Sequence, residues 1–256
     1  MAKRDIVRKE PSQELTTLFK EAPVSGFEGA DFSSYATPFL KILQQNSPQL
    51  MEGSEGHIPE GKAGLFFNTV TNHVYGKTVQ VIPVKFERLF VEWRPNRGGF
   101  AGMHDVASAM KISDVNPKNN LMRINMETGN DLQDTHTFYL LIVGHEEEGP
   151  IVFPLTSTGM KHSRKWLSMA KLLRLPSKKP APLFSSVYEL ITLVNENDQG
   201  RWYQIGDKSK TGIERIDWIT IQQYAYVTEA LSMFDLIKEK LQKEAEGEQF
   251  ETATPY

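Results

Sequence analysis

Apolar positions fall mainly into short runs with two-residue spacing, which predicts a protein built largely from β-strands. The longest run, TVQVIPVKFERLFVEW at residues 78 to 93, has apolar residues at even positions such as Ile82 and Phe90 and also at odd positions such as Val79. The apolar side therefore changes along the run. We predict one long, bent strand that serves two sheet surfaces, with Pro83 at a point that lacks a backbone donor.

Four further strands are predicted in two pairs. TFYLLIVG and PIVFPLT flank the turn HEEEG, and SVYELITLV and RWYQIG flank NENDQG, with a helix between the pairs. The predicted order is one strand, a long loop, two strands, a helix and two more strands. This is the order of elements in an OB-fold. We predict a mainly β, α+β protein, an OB-fold-like five-stranded Greek-key barrel with an inter-strand helix.

Both ends of this barrel are predicted to carry extensions. PFLKILQQNSPQL, from Pro38, predicts a short helix, and GLFFNTVTNHVYG predicts a hairpin. A C-terminal helix is predicted at residues 219–243, where apolar side chains recur every three or four residues. Packing of this helix on its own domain is favoured over pairing with another subunit, because the repeat is short.

The chain is expected to form one folded domain between two loosely held ends. Residues 1–36 are predicted to be a flexible arm and residues 244–256 an acidic flexible tail, with a single OB-like domain at 37–243. Within that domain, residues 94–136 are predicted to be a long irregular loop, a kind of connection that is usually functional or mobile.

Composition narrows the class of protein. The 256 residues are 39% hydrophobic, which is enough for a core, and include no cysteine, so thiolate metal sites and cysteine nucleophiles are excluded. The sequence has no 18-residue apolar run and no signal-peptide pattern at its start. We expect a soluble cytoplasmic protein.

Charge is distributed unevenly along the chain. The net charge is -3, yet residues 157–180 hold seven Lys or Arg and no acid. The last thirteen residues hold four acids and no base, so residues 1 to 243 alone carry about +1.

In the predicted helix, Trp166 lies on an apolar side and Lys165 on a basic side. An ordinary solvated helix face is the alternative to a phosphate-binding surface, but a stretch without acids favours phosphate as the counter-charge.

Aromatic and Arg residues near two predicted loops add flat surfaces on which unpaired bases can stack. The loops lie after the first barrel strand and between the last two, where OB-folds hold oligonucleotides. The predicted DNA-binding residues are Trp93, Arg94, Arg97, Phe100, Lys161, Arg164, Lys165, Lys171, Arg201, Trp202 and Tyr203.

The acidic end has two interpretations, a solubilising tail or a partner-binding segment. As a partner-binding segment it would occupy the basic surface when DNA is absent and bind partner proteins when DNA displaces it. The residues assigned to this role are Glu244, Glu246, Glu248, Glu251 and Tyr256.

Motifs for catalysis, metals and cofactors match poorly. GHIPEGKA has Ala63 where a phosphate loop needs Ser or Thr, and HEEEG has Gly149 where a zinc motif needs its second His. We expect no catalytic residue, no metal and no cofactor. Acids in the long loop, including Asp105 and Asp114, leave open a metal-dependent nuclease or recombination enzyme.

Four stretches resemble single-stranded DNA-binding proteins encoded by tailed phages: PFLKILQQNSPQL, FNTVTNHVYG, VIPVKFERLFVEW and PLTSTGMKHSRKW. The resemblance implies an OB-fold, sequence-tolerant binding of single-stranded DNA, and interaction with replication or recombination enzymes. The tail is shorter and less acidic than is usual in such proteins.

These observations together predict a non-enzymatic protein that binds single-stranded DNA in phage replication or recombination. Lys and Arg would contact phosphates, and aromatic rings would stack on bases. We also expect the protein to form homo-oligomers, and we expect no association with membranes. The alternatives are the nuclease or recombination enzyme and a phage structural or assembly protein.

Overall fold

Twelve β-strands and four α-helices are present in the described part of this computed structural model. The described residues are 12–23, 26, 28–29, 34–54, 56–95, 98–117, 122–198, 200–207 and 209–246, with side chains up to residue 234 and at residue 237. The strands are β1 (Leu40–Ile42), β2 (Phe66–Asn68), β3 (Val74–Gly76), β4 (Thr78–Trp93), β5 (Phe100–Asp105), β6 (Ser113–Val115), β7 (Arg123–Asn125), β8 (Asp131–Ile142), β9 (Ile151–Thr156), β10 (Ser186–Asn197), β11 (Gly200–Ile205) and β12 (Ile213–Trp218). The helices are α1 (Gln13–Lys20), α2 (Val106–Ile112), α3 (Met160–Leu172) and α4 (Ile221–Glu246).

Nine strands form one sheet that curls into a half-barrel, which confirms the predicted mainly β, α+β, barrel-like fold. The five predicted barrel strands are β4, β8, β9, β10 and β11, with α3 between β9 and β10. The antiparallel pairs β4–β8, β8–β9, β4–β10 and β10–β11 follow the OB-type order. In the part of the chain that the structure describes, no ladder joins β9 to β11, so the sheet stays open there.

A bulge in β4 occurs where the apolar side of the strand changes. The pairing of β4 with β8 shifts register between Pro83 and Lys85. Before the bulge, Val81 faces the inside of the half-barrel; after it, Phe86 does, while Ile82 belongs to the outer cluster. The predicted long, bent strand serving two surfaces is therefore confirmed.

The two surfaces of the sheet carry different helices. On the inner face, α3 inserts the fully buried ring of Trp166, which stacks on Phe138 at 4.3 Å and 16°. On the outer face, α4 packs with Phe234, whose ring meets Tyr139 edge-on at 4.8 Å and lies under Lys85 Nζ at 4.2 Å. Each helix is thus held by burial of large apolar side chains.

The opening between β9 and β11 is bridged by the small sheet β1–β2–β3. Phe39 forms a parallel bridge to Val152 on the free edge of β9. At the other side, Gln44 Nε2 donates to Tyr203 O at 2.9 Å, and Tyr203 N–H donates to Gln44 Oε1 at 2.8 Å. The Gln44 amide therefore takes the place that a neighbouring strand would have on β11.

The predicted hairpin is present as β2 and β3, but the predicted helix after Pro38 is wrong. This segment forms β1, which pairs antiparallel with β2 so that Leu40 lies opposite Asn68 and Ile42 opposite Phe66. Leu40 is buried in the inner core. Long-range pairing with β2 thus overrides the helical interpretation of a short apolar run.

The predicted irregular loop at 94–136 is also wrong. This segment contains β5, α2, β6, β7 and the first half of β8. β5 extends the sheet beside β4, and α2 covers Phe90 and Leu132 with the buried Ala109. A further strand, β12, pairs with β10 and was not predicted.

The C-terminal helix is present as Ile221–Glu246, so the predicted boundary between helix and tail at residue 243 is wrong. A capping box begins the helix: Gln223 N–H donates to Thr220 Oγ1, and Thr220 N–H donates to Gln223 Oε1. Val227 and Phe234 are buried on the same domain, as predicted.

The chain divides into two compact units, Met1–Tyr35 and Ala36–Tyr256. The first unit contains α1, so Gln13–Lys20 of the predicted arm forms a helix. Ser12 caps this helix, because its Oγ accepts from Leu15 N–H at 3.3 Å. The described apolar side chains of α1 are exposed within the unit.

Replacing Gln44 by Leu tests the bridge to β11. Tyr203 N–H and C=O would lose both partners, so we expect the free energy of unfolding to fall by about 2 kcal/mol. Urea denaturation measures the change. The adjacent exposed Gln45 is the matched control, and Gln45→Leu should change stability by less than about 0.5 kcal/mol. Equal stability of the two variants would contradict a bridging role.

Candidate nucleic-acid interface

The basic stretch of the sequence forms α3, and its two sides divide as predicted. Ser163, Trp166 and Ala170 are buried against the sheet. The opposite side is exposed and consists of Lys161, Arg164, Lys165, Ser168 and Lys171, which we call the basic face of α3. Within the described residues, no carboxylate forms a salt bridge with any of these cations. The basic face therefore presents positive charge that acids of the chain do not neutralise by contact.

The start of α3 is held by β11 and the loop after it. Thr158 Oγ1 donates to Gln204 Oε1 at 2.6 Å, and Lys161 Nζ donates to Asp207 O at 3.1 Å. Gly159 is the N-cap of α3, and no side chain caps the first turn. The contacts with β11 and Asp207 fix the direction of α3 instead.

Two buried histidines, His162 on the inner side of α3 and His136 on β8, lie close to positive charges. Burial lowers the pKa of His136, and the charges of Arg88 and Arg164 lower it further against the opposing charge of Asp134. Burial also lowers the pKa of His162, with a further contribution from Lys161. Both rings are therefore neutral near pH 7, and the positive charge of this surface comes from Lys and Arg.

Trp202 is one of two predicted aromatic residues on β11, the strand that contacts the start of α3. It lies two residues from Gln204 on the same face of β11, about 7 Å along the strand, and is half-buried. Tyr203 points to the other face and packs on Gly64, where an added Cβ would lie 2.6 Å from the ring. Tyr203 therefore packs within the fold and does not offer an exposed ring for base stacking.

Arg201, also predicted to bind DNA, is exposed on β11 and forms an ion pair with Glu196 at 3.2 Å. The pair is largely solvent-exposed, so its contribution to stability is small. Because the carboxylate offsets the charge of Arg201, this residue adds less positive potential than those of the basic face.

The other predicted cluster lies at the far end of β4. Trp93 and Phe100 meet edge-on at 6.0 Å, and the pleat places Trp93 on the outer side of the sheet, opposite to the face that carries α3. Arg94 is exposed, and its N–H donates to Gly99 O at 2.9 Å. Arg97 lies outside the described residues. This cluster and the basic face of α3 do not form one site.

The predicted tail residues are only partly covered by the structure. Glu244 and Glu246 lie in α4, and their side chains are not described. The remaining assigned residues, Glu248, Glu251 and Tyr256, lie outside the described residues.

Comparison with known proteins gives the family. The model of the Pam3 phage gp34-like protein family matches residues 9–238. The chain belongs to this phage family. No match is found among curated proteins or solved structures.

In this gp34-like protein, the acids of the segment that follows β4 have separate local partners. Asp105 caps α2, Asp131 accepts from Asn116 Nδ2 at 2.6 Å, and Asp134 pairs with Arg88 at 2.7 Å. In the described ranges, no group of three or more His, Asp or Glu is arranged to hold a metal ion. None of the described helices combines the length and apolar character that crossing a lipid bilayer would require.

A buried carboxylate organises this segment and was missed by the sequence analysis. Glu92 is 5% exposed, and its Oε1 accepts hydrogen bonds from Asn125, Thr128 and Asn130 in the turn between β7 and β8. His104 Nε2 lies 2.6 Å from Glu92 Oε2. A single acid within the otherwise apolar stretch Leu89–Trp93 was the available signal.

The Glu92 network makes the stability of this gp34-like protein depend on pH. Burial raises the pKa of Glu92, but hydrogen bonds from Thr128, His104 and Asn130 outweigh it and hold the pKa below the usual value for a glutamate. Because the pKa of Glu92 is lower in the folded than in the unfolded protein, its ionisation stabilises the fold at pH values above the unfolded-state pKa. This contribution is lost as the pH falls through the folded-state pKa.

We therefore expect the free energy of unfolding of Glu92→Gln to be about 2 kcal/mol lower at pH 7, and the difference from the parent protein to shrink as the pH falls through the lowered pKa of Glu92. Urea unfolding at several pH values measures the difference. Glu127→Gln, an exposed change in the same turn, is the control. A Glu92→Gln deficit that stays constant with pH would contradict the assignment.

Proposed function

We propose that this phage protein binds single-stranded DNA through the basic face of α3, without sequence preference, during DNA replication or recombination. The role is binding rather than catalysis. The observation that carries the proposal is the combination of exposed cations on one side of α3 with deep burial of Trp166 on the other. A rigid helix can thus hold several positive charges in a fixed row.

Charge and spacing support phosphate as the ligand. From Lys161 to Lys171 the helix rises about 15 Å, which spans several backbone phosphates. Lys and Arg release condensed counterions when they neutralise phosphates, so binding should be strong at low salt and weak at high salt. Because His136 and His162 are neutral in this pH range, we expect the affinity for DNA to change little between pH 7 and 8.

Trp202 supplies the aromatic surface that distinguishes single strands from duplexes. Unpaired bases stack on flat side chains regardless of sequence, whereas paired bases are already stacked within the helix. Thr158 ties the start of α3 to Gln204, which lies two residues from Trp202 on the same face of β11. A strand would therefore stack at Trp202 and continue along α3.

The surface that OB-folds commonly use is partly occupied in this protein. OB-folds bind oligonucleotides on the face of their second and third strands, which correspond here to β8 and β9. On β8, Tyr139 and Leu141 are buried under α4. The basic face of α3 is therefore favoured over the outer face of the barrel.

Partner proteins remain a proposal based on the sequence. Glu244 and Glu246 continue α4, so the acidic segment that binds a replication or recombination enzyme would begin with a helix end and continue through the last residues. Homo-oligomers on long strands are a further part of the proposal.

The triple variant Lys161→Gln, Arg164→Gln, Lys165→Gln tests the DNA-binding surface. We expect its affinity for oligo-dT to fall about 100-fold at 0.1 M salt, and the slope of log affinity against log salt to decrease by about 2, because three phosphate contacts are lost. Fluorescence anisotropy of labelled oligo-dT and of an equal-length duplex measures both quantities.

A second triple variant controls for net charge. Lys62, Lys77 and Lys111 are exposed lysines on other elements, and changing all three to Gln removes the same charge. This control should keep the slope of the parent protein. Equal losses in both variants, or no binding by the parent protein at low salt, would overturn the proposal.

A further inference from the structure

The chain after α3 forms an ordered turn that carries three of the seven cations of the basic stretch. We call Arg174 to Pro180 the basic turn. Arg174 and Pro180 form an antiparallel bridge, and within it Leu175 N–H donates to Lys179 O at 2.9 Å. Lys178 N–H donates to Leu175 O at 2.8 Å. These bonds hold exposed charged residues in one defined conformation.

The backbone of Lys178 is in an unfavourable region. Its φ is +63°, in the left-handed region where glycine, asparagine and aspartate are preferred because a Cβ is crowded there. The folded protein is less stable with lysine at this position than it would be with glycine. Strain that persists at an exposed charged side chain indicates that the side chain has a role beyond folding.

Arg174 joins the basic turn to the end of α3. Its Nη1 donates to Lys171 O at 2.7 Å and to Leu173 O at 3.0 Å, so it covers carbonyls that the helix leaves without partners. The C-terminal end of a helix repels anions, and the positive charge of Arg174 opposes that effect. In the described part of the chain, Arg174, Lys178 and Lys179 form no salt bridge.

We propose that the basic turn is a second phosphate-binding element, which takes up the nucleic-acid backbone where it leaves the basic face of α3. This inference rests on the proposed single-stranded DNA binding and extends the bound strand beyond Lys171. Lys178 and Lys179 contact phosphate, and Arg174 holds the turn against the helix end.

Lys178→Gly separates charge from folding, because glycine accepts the left-handed backbone without strain. We expect the melting temperature to stay the same or rise. We expect affinity for a long oligo-dT to fall about fivefold at 0.1 M salt and the salt slope to decrease by about 0.7, as for one lost phosphate contact. Lys178→Arg keeps the charge and should retain the parent slope.

The control is Lys111→Ala, which removes one exposed lysine from α2. A parent-like slope for Lys178→Gly, together with a reduced slope for the triple variant of α3, would overturn the second element and leave the DNA-binding surface intact. No binding of oligo-dT by the parent protein would instead remove the proposed function on which the inference rests.

Discussion

The bulge in β4 between Pro83 and Lys85 is the constraint on which the rest of the fold depends. Side chains of a strand alternate between faces, so one extra residue exchanges the two faces beyond that point. Because of it, Phe86 joins the inner core beside Phe138, while Ile82 packs under α4. A regular strand would turn Phe86 outward and remove part of the inner surface on which α3 rests.

This division of the sheet also decides which surface is free to bind a ligand. The outer face of β8 is covered by α4, and the inner face by the buried side of α3. The remaining basic surface is the exposed side of α3, between β11 at its start and the basic turn at its end. An OB-type strand order thus occurs here together with a proposed binding surface that differs from the usual one.

Particular residues explain where prediction from sequence succeeded and failed. The change of apolar side in β4 and the two sides of α3 are local patterns, and both were predictable. Leu40 and Ile42 suited a helix or a strand equally, and only pairing with β2 made them β1. Asn125, Thr128 and Asn130 are typical of loops, yet they form an ordered turn because they bind the buried Glu92.

The sequence by itself determined the mainly β character, the five barrel strands and their order, and a helix with one basic side. These properties depend on periodicity and turn residues, which act over a few neighbouring positions. Only the tertiary structure decided that Gln204 of β11 meets Thr158 at the start of α3, that Trp93 lies on the opposite face of the sheet, and that Gln44 bridges to Tyr203 across 159 positions. Such contacts form between residues far apart in sequence, and no local pattern encodes which distant partner satisfies a given backbone or side-chain group.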